Sequence, residues 1–424
     1  MLVIPILEES TYMRSQFLAT MRIALIVVVL FALVPSVAAK KGSDSGFQTG
    51  FVRWRAAENG FADWTLSGVQ LNAGALEFND ATASDGTDAY PSGGYYNGNY
   101  YNAGSFRVGE AVSPEVPAGF DYTEAIASWN ATTPSGSWVE VQFRAQYGTR
   151  WSKWYVLGIW AADDSTISRH SVRLQGDTDG FVAVDTFVSS NKKETTDAFQ
   201  LKLRLFSADG VVTPTVQNAS VAYSTSAPKL ASMSAGNPAN WNTLINVPEC
   251  SQMVYPGEGG EVWCSPTSTS MVLGSWGYMP GACEDRVRDA VTGVYDWIYE
   301  GHGNWPFNTA YAAEHGYEGY VARFTSLEKA EEFVKAGVPV IMSIAWDKGD
   351  MTNSNISSTN GHLLVLVGFD TNGNPIINDP AWPADEDVQN MYLRSEVEHL
   401  WLEASGGTVY LIYPAGMTGL PPLP

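Results

Sequence analysis

The chain is 424 residues long, with 45% hydrophobic, 12% aromatic and 16% charged residues, too long for one ordinary domain and too apolar to stay disordered. Its 24 Lys and Arg against 45 Asp and Glu leave a formal charge of −21, which repels phosphate backbones and argues against nucleic acid as a partner. The 3 cysteines are too few for a disulfide scaffold, and the odd count leaves at least one thiol unpaired within the chain.

Residues 23–34 are an unbroken apolar run, preceded by Arg14 and Arg22 and followed by Pro35-Ser-Val-Ala-Ala39. A basic start, a short apolar stretch and a small-residue exit predict a secretory signal peptide over residues 1–39, cleaved near Ala39. Lys40 and Lys41 close the stretch short of the ~20 apolar residues that a membrane span needs. The expected product is exported, extracellular and without a membrane span once the signal is removed; Met13 and Met21 are alternative starts.

From residue 47 to 226 the pattern predicts β structure. In Trp138-Val-Glu-Val-Gln-Phe-Arg-Ala-Gln-Tyr147 apolar residues alternate with Glu140, Gln142, Arg144 and Gln146, the period of a strand with one buried face. Phe199-Gln-Leu-Lys-Leu-Arg-Leu205 repeats the alternation, and residues 216–223 read as a further strand. Turn clusters separate these runs at Asp85-Gly86, Ser92-Gly93-Gly94, Asp177 to Gly180 and Asp209-Gly210. Short strands at such spacing predict an all-β sandwich, jelly-roll-like. Trp138, Trp151, Trp154 and Trp160 lie in strand-like runs and are expected in its core. Tyr95-Tyr96 and Tyr100-Tyr101 sit among Gly, Asn and Ser, read most simply as a loop over the sandwich. A cell-wall or glycan surface is the alternative use for those rings. Asp177-Thr-Asp179-Gly is half a calcium loop at most and is read as a plain turn; neither a metal nor another cofactor is expected.

Residues 227–244, rich in Ala, Ser, Asn and Pro, read as an interdomain linker. Helix signals follow. Thr325-Ser-Leu-Glu328 is a capping box opening a helix with Leu327, Ala330 and Phe333 on one face, stopped by Gly337. Val338-Pro-Val-Ile-Met-Ser-Ile344 reads as a buried strand. Residues 245–415 are therefore expected to form a second, mixed α+β domain.

Two elements of that half carry chemistry. In Val262-Trp-Cys264-Ser-Pro266 the proline is tolerated in a first helical turn and hardly deeper, so Cys264 is expected at a helix N-terminus, where the dipole raises the thiolate fraction. A buried inert thiol is the alternative. In Asn360-Gly-His362-Leu-Leu-Val-Leu-Val-Gly-Phe-Asp370 the histidine stands at the mouth of an apolar strand. The turn signal Thr371-Asn-Gly-Asn-Pro375 and then Ile376-Ile-Asn-Asp379 make a hairpin. His362 and Asp379 lie at its open end, close to paired if a bulge absorbs a residue or two. An Asp beside a His sets its tautomer and supports the imidazolium. Gly301 to Asn308 reads as an aromatic loop, with Trp305 and Phe307 packing, and His315 as a helix C-terminal residue.

The order Cys, His, Asp is that of papain-like enzymes. The motifs Val247-Pro248…Ser251-Gln252, Trp263-Cys264-Ser-Pro-Thr, Val338-Pro-Val, Gly361-His362-Leu-Leu-Val-Leu-Val-Gly-Phe-Asp and Asn378-Asp379-Pro380 resemble the bacteriocin-processing (double-glycine leader) peptidase family and its secreted relatives. The resemblance covers residues 245–415. It implies a papain-like fold with Cys264 as nucleophile, His362 as base, Asp379 as orienting carboxylate and Gln252 as oxyanion-hole amide. This sequence departs from the pattern where the loop of residues 253–261 stretches the Gln-to-Cys spacing. The substrate expected is a peptide or protein. A cell-wall amidase or an acyl-transferase using the same thiol is the alternative, and a non-catalytic surface-binding protein the third reading. In an exported chain Cys250 and Cys283 can pair, fastening the Gln252 segment to the end of the Cys264 helix; two separate buried thiols are the alternative.

Overall fold

The strands of the first half appear where alternation put them. Ser137–Tyr147 pairs with Thr196–Ser207 along its full length, and Thr215–Ser224 pairs with both Glu124–Thr132 and Thr49–Arg55, all antiparallel. Val139, Val141, Phe143 and Ala145 point inward with no exposure, as do Leu201, Leu203 and Leu205. The computed structural model describes residues 46–87, 104–229 and 233–424. The expected signal segment, Ser92-Gly93-Gly94 and the paired tyrosines lie outside those residues.

Two sheets stack as a sandwich. One runs Gly180–Ala183, Thr186–Ser189, Glu124–Thr132, Thr215–Ser224, Ala75–Phe78, Val69–Asn72; the other Arg150–Trp151, Ser137–Tyr147, Thr196–Ser207, Phe106–Val112, Thr65–Ser67. Asp177 to Gly180 is a turn held by the Asp177 carboxylate, which accepts from the N–H of Asp179 at 2.9 Å and of Gly180 at 3.2 Å. Asp85-Gly86 is not a turn but part of a short strand, Ser84–Gly86, on Phe106–Val112. Trp138 and Trp160 are core, at 1% exposure each. Trp151 and Trp154 are not. They lie half-buried on the outer face, their rings 4.4 and 4.5 Å from the guanidinium of the outward-pointing Arg144.

The second half is α+β. Its antiparallel sheet runs Tyr317–Arg323, Thr408–Pro414, Val340–Trp346, Thr359–Phe369, Pro375–Asn378, Gln389–Met391. Around it lie helices α1 (Cys264–Ser275), α2 (Cys283–Val294), α3 (Trp305–Glu314), α4 (Leu327–Lys335) and α5 (Arg394–Ser405). Helix α4 buries Leu327, Ala330 and Phe333 as its pattern requires, and Gly337 follows it at φ +85. Its cap differs from the expected capping box: the helix starts one residue later, and Glu398 of α5 accepts from the Leu327 N–H at 2.8 Å. A carboxylate from another helix does what Thr325 was expected to do. The predicted aromatic loop is likewise half helix, since Trp305 begins α3 with Pro306 in its first turn.

Residues 46–424 form one compact unit. A single apolar cluster contains Trp129, Phe143 and Leu203 of the sandwich together with Met271, Ala310 and Val365 of the second half. Phe307 packs edge-on against Trp129 and Trp160, with ring centroids 6.1 and 5.4 Å apart. Asn130 donates to the Gly319 carbonyl at 2.6 Å, and the Ser128 hydroxyl accepts from the Val321 N–H at 2.8 Å, so a sandwich strand grips the far edge of the second sheet. Residues 233–244 also lie against the second half. Trp241 Nε1 donates to Glu331 at 2.8 Å and Thr243–Leu244 pairs with Gly368 and Phe369. Among the described residues no helix is long and apolar enough to cross a membrane.

Candidate active site

Helix α1 begins at Cys264, with Pro266 in the first turn, as the spacing predicted. Residues 265–273 are buried all round. A helix can lie there because small hydroxyl side chains let neighbours close in and find partners of their own. Ser268 donates to the Leu363 carbonyl at 3.1 Å, Thr269 to Asn308 at 3.1 Å, and Ser265 meets the Tyr410 hydroxyl at 3.0 Å. Cys264 is partly exposed and is the free cysteine among the described residues.

The hairpin delivers the histidine and the carboxylate. Val365 pairs with Asn378 and Leu366 with Ile377; the register then shifts before Gly368 and Ile376. That bulge is the one the spacing required. Continuing the register past Asn378 sets Asp379 opposite position 364, two residues from His362 and therefore on the same face. His362 Nε2 lies 2.7 Å from Asp379 Oδ1. The other carboxylate oxygen accepts from the Tyr392 hydroxyl at 2.8 Å, and the Ala381 N–H donates to Oδ1 at 3.0 Å. Trp346 presents an edge to the His362 ring at 5.8 Å between centroids, a cover that keeps water from the ion pair.

With Nε2 turned to Asp379, Nδ1 is the ring nitrogen left for the sulfur, and His362 and Cys264 lie close enough to shift each other's proton affinity. Burial pushes the thiol up, but the His362 hydrogen bond and charge, with the N–H groups of Leu363 and Ser265, bring it below its ordinary value. Burial pushes His362 down, yet Asp379 and Cys264 together raise it to about 10. Burial would raise Asp379, and the charge and hydrogen bond of His362 hold it below its ordinary range. The three directions agree: each pushes toward a thiolate, an imidazolium and a carboxylate.

Gln252 is buried as well. Residues 252–254 and 260–262 are two short 3-10 turns, and the stretched loop folds back between them. At Gly260 a Cβ would meet the Gln252 carbonyl oxygen at 2.2 Å, so glycine is needed for the approach. The Gly260 carbonyl accepts one Nε2 hydrogen of Gln252 at 2.8 Å, four residues ahead of Cys264. The longer spacing is thus absorbed locally, while Gln252 Oε1 is buried without a hydrogen-bond partner among the described residues.

Cys250 and Cys283 form a disulfide with Cα atoms 5.6 Å apart, joining the Gln252 segment to the start of α2. Arg286, 2% exposed, lies between that bridge and the end of α1, donating to the carbonyls of Ser270 at 3.1 Å and Met279 at 2.8 Å. Tyr392, Trp346 and Arg286 were not found from the sequence, since nothing local marks a tyrosine thirteen residues after an aspartate as its partner.

Two family models match in tandem: "Peptidase C39 N-terminal domain" over residues 50–224 and "Peptidase_C39 like family" over residues 244–409. No curated protein matches. Among solved structures, a Bacillus anthracis protein described as a C39-like peptidase aligns at 20% identity and TM-score 0.29, over 40% of this chain and 97% of its own. The Emp46p carbohydrate recognition domain aligns at 10% identity and TM-score 0.21, over 39% of this chain and 90% of its own. The two matched segments fall on the β-sandwich and on the α+β half, so each half of the chain carries a C39-type domain signature, in the order in which the fold places them.

Proposed function

We propose that the protein is an exported cysteine peptidase that hydrolyses peptide bonds with Cys264, His362 and Asp379. The observation that carries the reading is the His362–Asp379 contact at 2.7 Å, with Cys264 near enough that its thiol and the His362 ring each shift the other's proton affinity. The thiolate attacks the scissile carbonyl carbon; a C–S bond forms and the π pair moves to oxygen. That oxyanion is opposed by the backbone N–H of Cys264 and the side-chain amide of Gln252. As the oxyanion collapses, the C–N bond breaks and the amine takes the His362 proton, leaving a thioester. His362 next removes a proton from water, whose oxygen attacks the thioester, and the sulfur departs as thiolate. Asp379 keeps the ring oriented and its positive form stable throughout. Export through a signal over residues 1–39 is supported by the Cys250–Cys283 bridge, because disulfides persist in oxidising compartments.

Incubation of the full chain with a peptide library tests this. Cleavage is expected, abolished by iodoacetamide and in Cys264→Ala. A library left intact by fresh protein, or cleavage that survives in Cys264→Ala, overturns it.

A further inference from the structure

Between α2 and α3 the chain makes a loop, residues 295–304, organised on the buried Asp296. Asp296 Oδ1 accepts from the N–H groups of Ile298 and Tyr299, each at 3.0 Å, and Oδ2 from Asn304 Nδ2 at 2.9 Å. The sandwich completes this cage. The Ser171 N–H donates to Asp296 Oδ1 at 3.0 Å, Arg173 donates to the Ile298 carbonyl at 2.5 Å, and the Trp297 N–H donates to the Arg169 carbonyl at 3.1 Å. At the loop's far end, Asp185 Oδ2 accepts from the N–H of Trp305, the first residue of α3, at 2.7 Å.

Asp185 reaches that position through a strained turn. Val184 has φ +60, costly for a β-branched residue, and such outliers persist where the surroundings impose them. On its inner side the loop meets the nucleophile. The His302 ring lies against Trp263, with centroids 6.2 Å apart, one residue before Cys264. Asn308 donates to the His302 carbonyl at 2.9 Å and accepts from Thr269 of α1 at 3.1 Å. Burial, with the charges of Asp185, Cys264 and Asp296, raises the Tyr299 hydroxyl above its ordinary value.

We infer that the sandwich is a working part of the catalytic unit: Asp185 and Arg173 hold the Tyr299–His302 wall beside Cys264 and so act as positioning residues for the bound peptide. The inference rests on the peptidase reading above. Activation of the thiol belongs to His362 and Asp379; the sandwich governs how substrate sits.

The test uses the full chain with Asp185→Ala, Asp185→Asn and Arg173→Ala, folded by near-ultraviolet circular dichroism. Three measurements are made: KM and kcat on a cleaved library peptide, the pH profile of Cys264 alkylation, and hydrogen exchange of residues 297–303. Asp185→Ala is expected to lower kcat/KM roughly 10–100-fold, mostly through KM, with alkylation unchanged and loop exchange about tenfold faster. Asp185→Asn keeps an acceptor for the Trp305 N–H and is expected to restore KM. If Asp185→Ala does not fold, the half-buried Arg173→Ala carries the same expectations. Unchanged loop exchange overturns the inference, and so does a KM loss accompanied by a shifted alkylation profile. A wild-type protein that cleaves nothing refutes the peptidase reading, while the exchange measurement still decides whether the sandwich holds the loop.

Discussion

Replacing Asp379 by Asn removes one charge and keeps the shape. His362 is raised from 6.5 to about 10, and 3.5 pH units are about 5 kcal/mol in favour of the imidazolium. Since burial opposes that charge, Asp379 and the Cys264 thiolate supply all of it. Loss of the buried partner at 2.7 Å costs ~3–5 kcal/mol, or roughly 10²–10⁴-fold in the ion-paired form and in turnover. The assay is the second-order rate of iodoacetamide alkylation of Cys264 across pH 4–11. In the wild type the rate should stay high below the ordinary thiol range, and turnover should fall only as His362 loses its proton near about 10. In Asp379→Asn the acid limb should move up by roughly 2–3 pH units, cutting the rate at pH 6 about 100-fold or more while the two proteins converge at high pH. The linkage has the same sign. A raised histidine adds stability fully present below 6.5 and lost as pH rises through about 10, so the wild type should lose its stability margin over the variant at alkaline pH. Superimposable alkylation profiles would refute the whole electrostatic argument.

Gln252→Ala should lower kcat by roughly 10²–10³-fold while leaving the alkylation profile in place; a parallel loss of thiol reactivity would argue against an oxyanion role. Reduction of the Cys250–Cys283 bridge, which spans a sequence separation of 33, should destabilise by ~3–4 kcal/mol on the chain-entropy model, read as a lower denaturant midpoint. Phe307→Ala empties a fully buried site between Trp129 and Trp160 and should cost ~3–5 kcal/mol. Because it joins both halves, the protein should still melt in one transition, and a separate peptidase-half transition would contradict the shared core. Burial raises Asp185 from 3.8 to about 7. Its folded form therefore favours the proton, and the stability difference from Asp185→Asn should shrink by up to about 4 kcal/mol between pH 4 and 7 and stay flat above. A difference independent of pH would show Asp185 to be solvated.

Much of the candidate site was legible because it depends on short-range rules. Pro266 two residues past Cys264 dictates a helix start, and a turn signal between two apolar runs dictates a hairpin. Gly337 stops α4 wherever α4 begins. Two of the errors come from partners outside the local pattern. Thr325 was expected to cap α4 and Glu398 caps it; Trp151 and Trp154 were expected inside, yet both rings pack on the Arg144 guanidinium at the outer face. In each case a partner that the local pattern does not name decides the outcome.

Backbone alternation, proline placement and turn chemistry are encoded over a few residues, so the amino-acid order alone determined the strands, the start of the Cys264 helix and the near-pairing of His362 with Asp379. The tertiary structure decided how the two halves meet. Asn130 on Gly319, Ser171 on Asp296 and Asp185 on Trp305 join residues more than 100 positions apart. Such contacts form because buried polar groups must find partners wherever packing brings them, and nothing in the neighbouring sequence of either partner records which one that is.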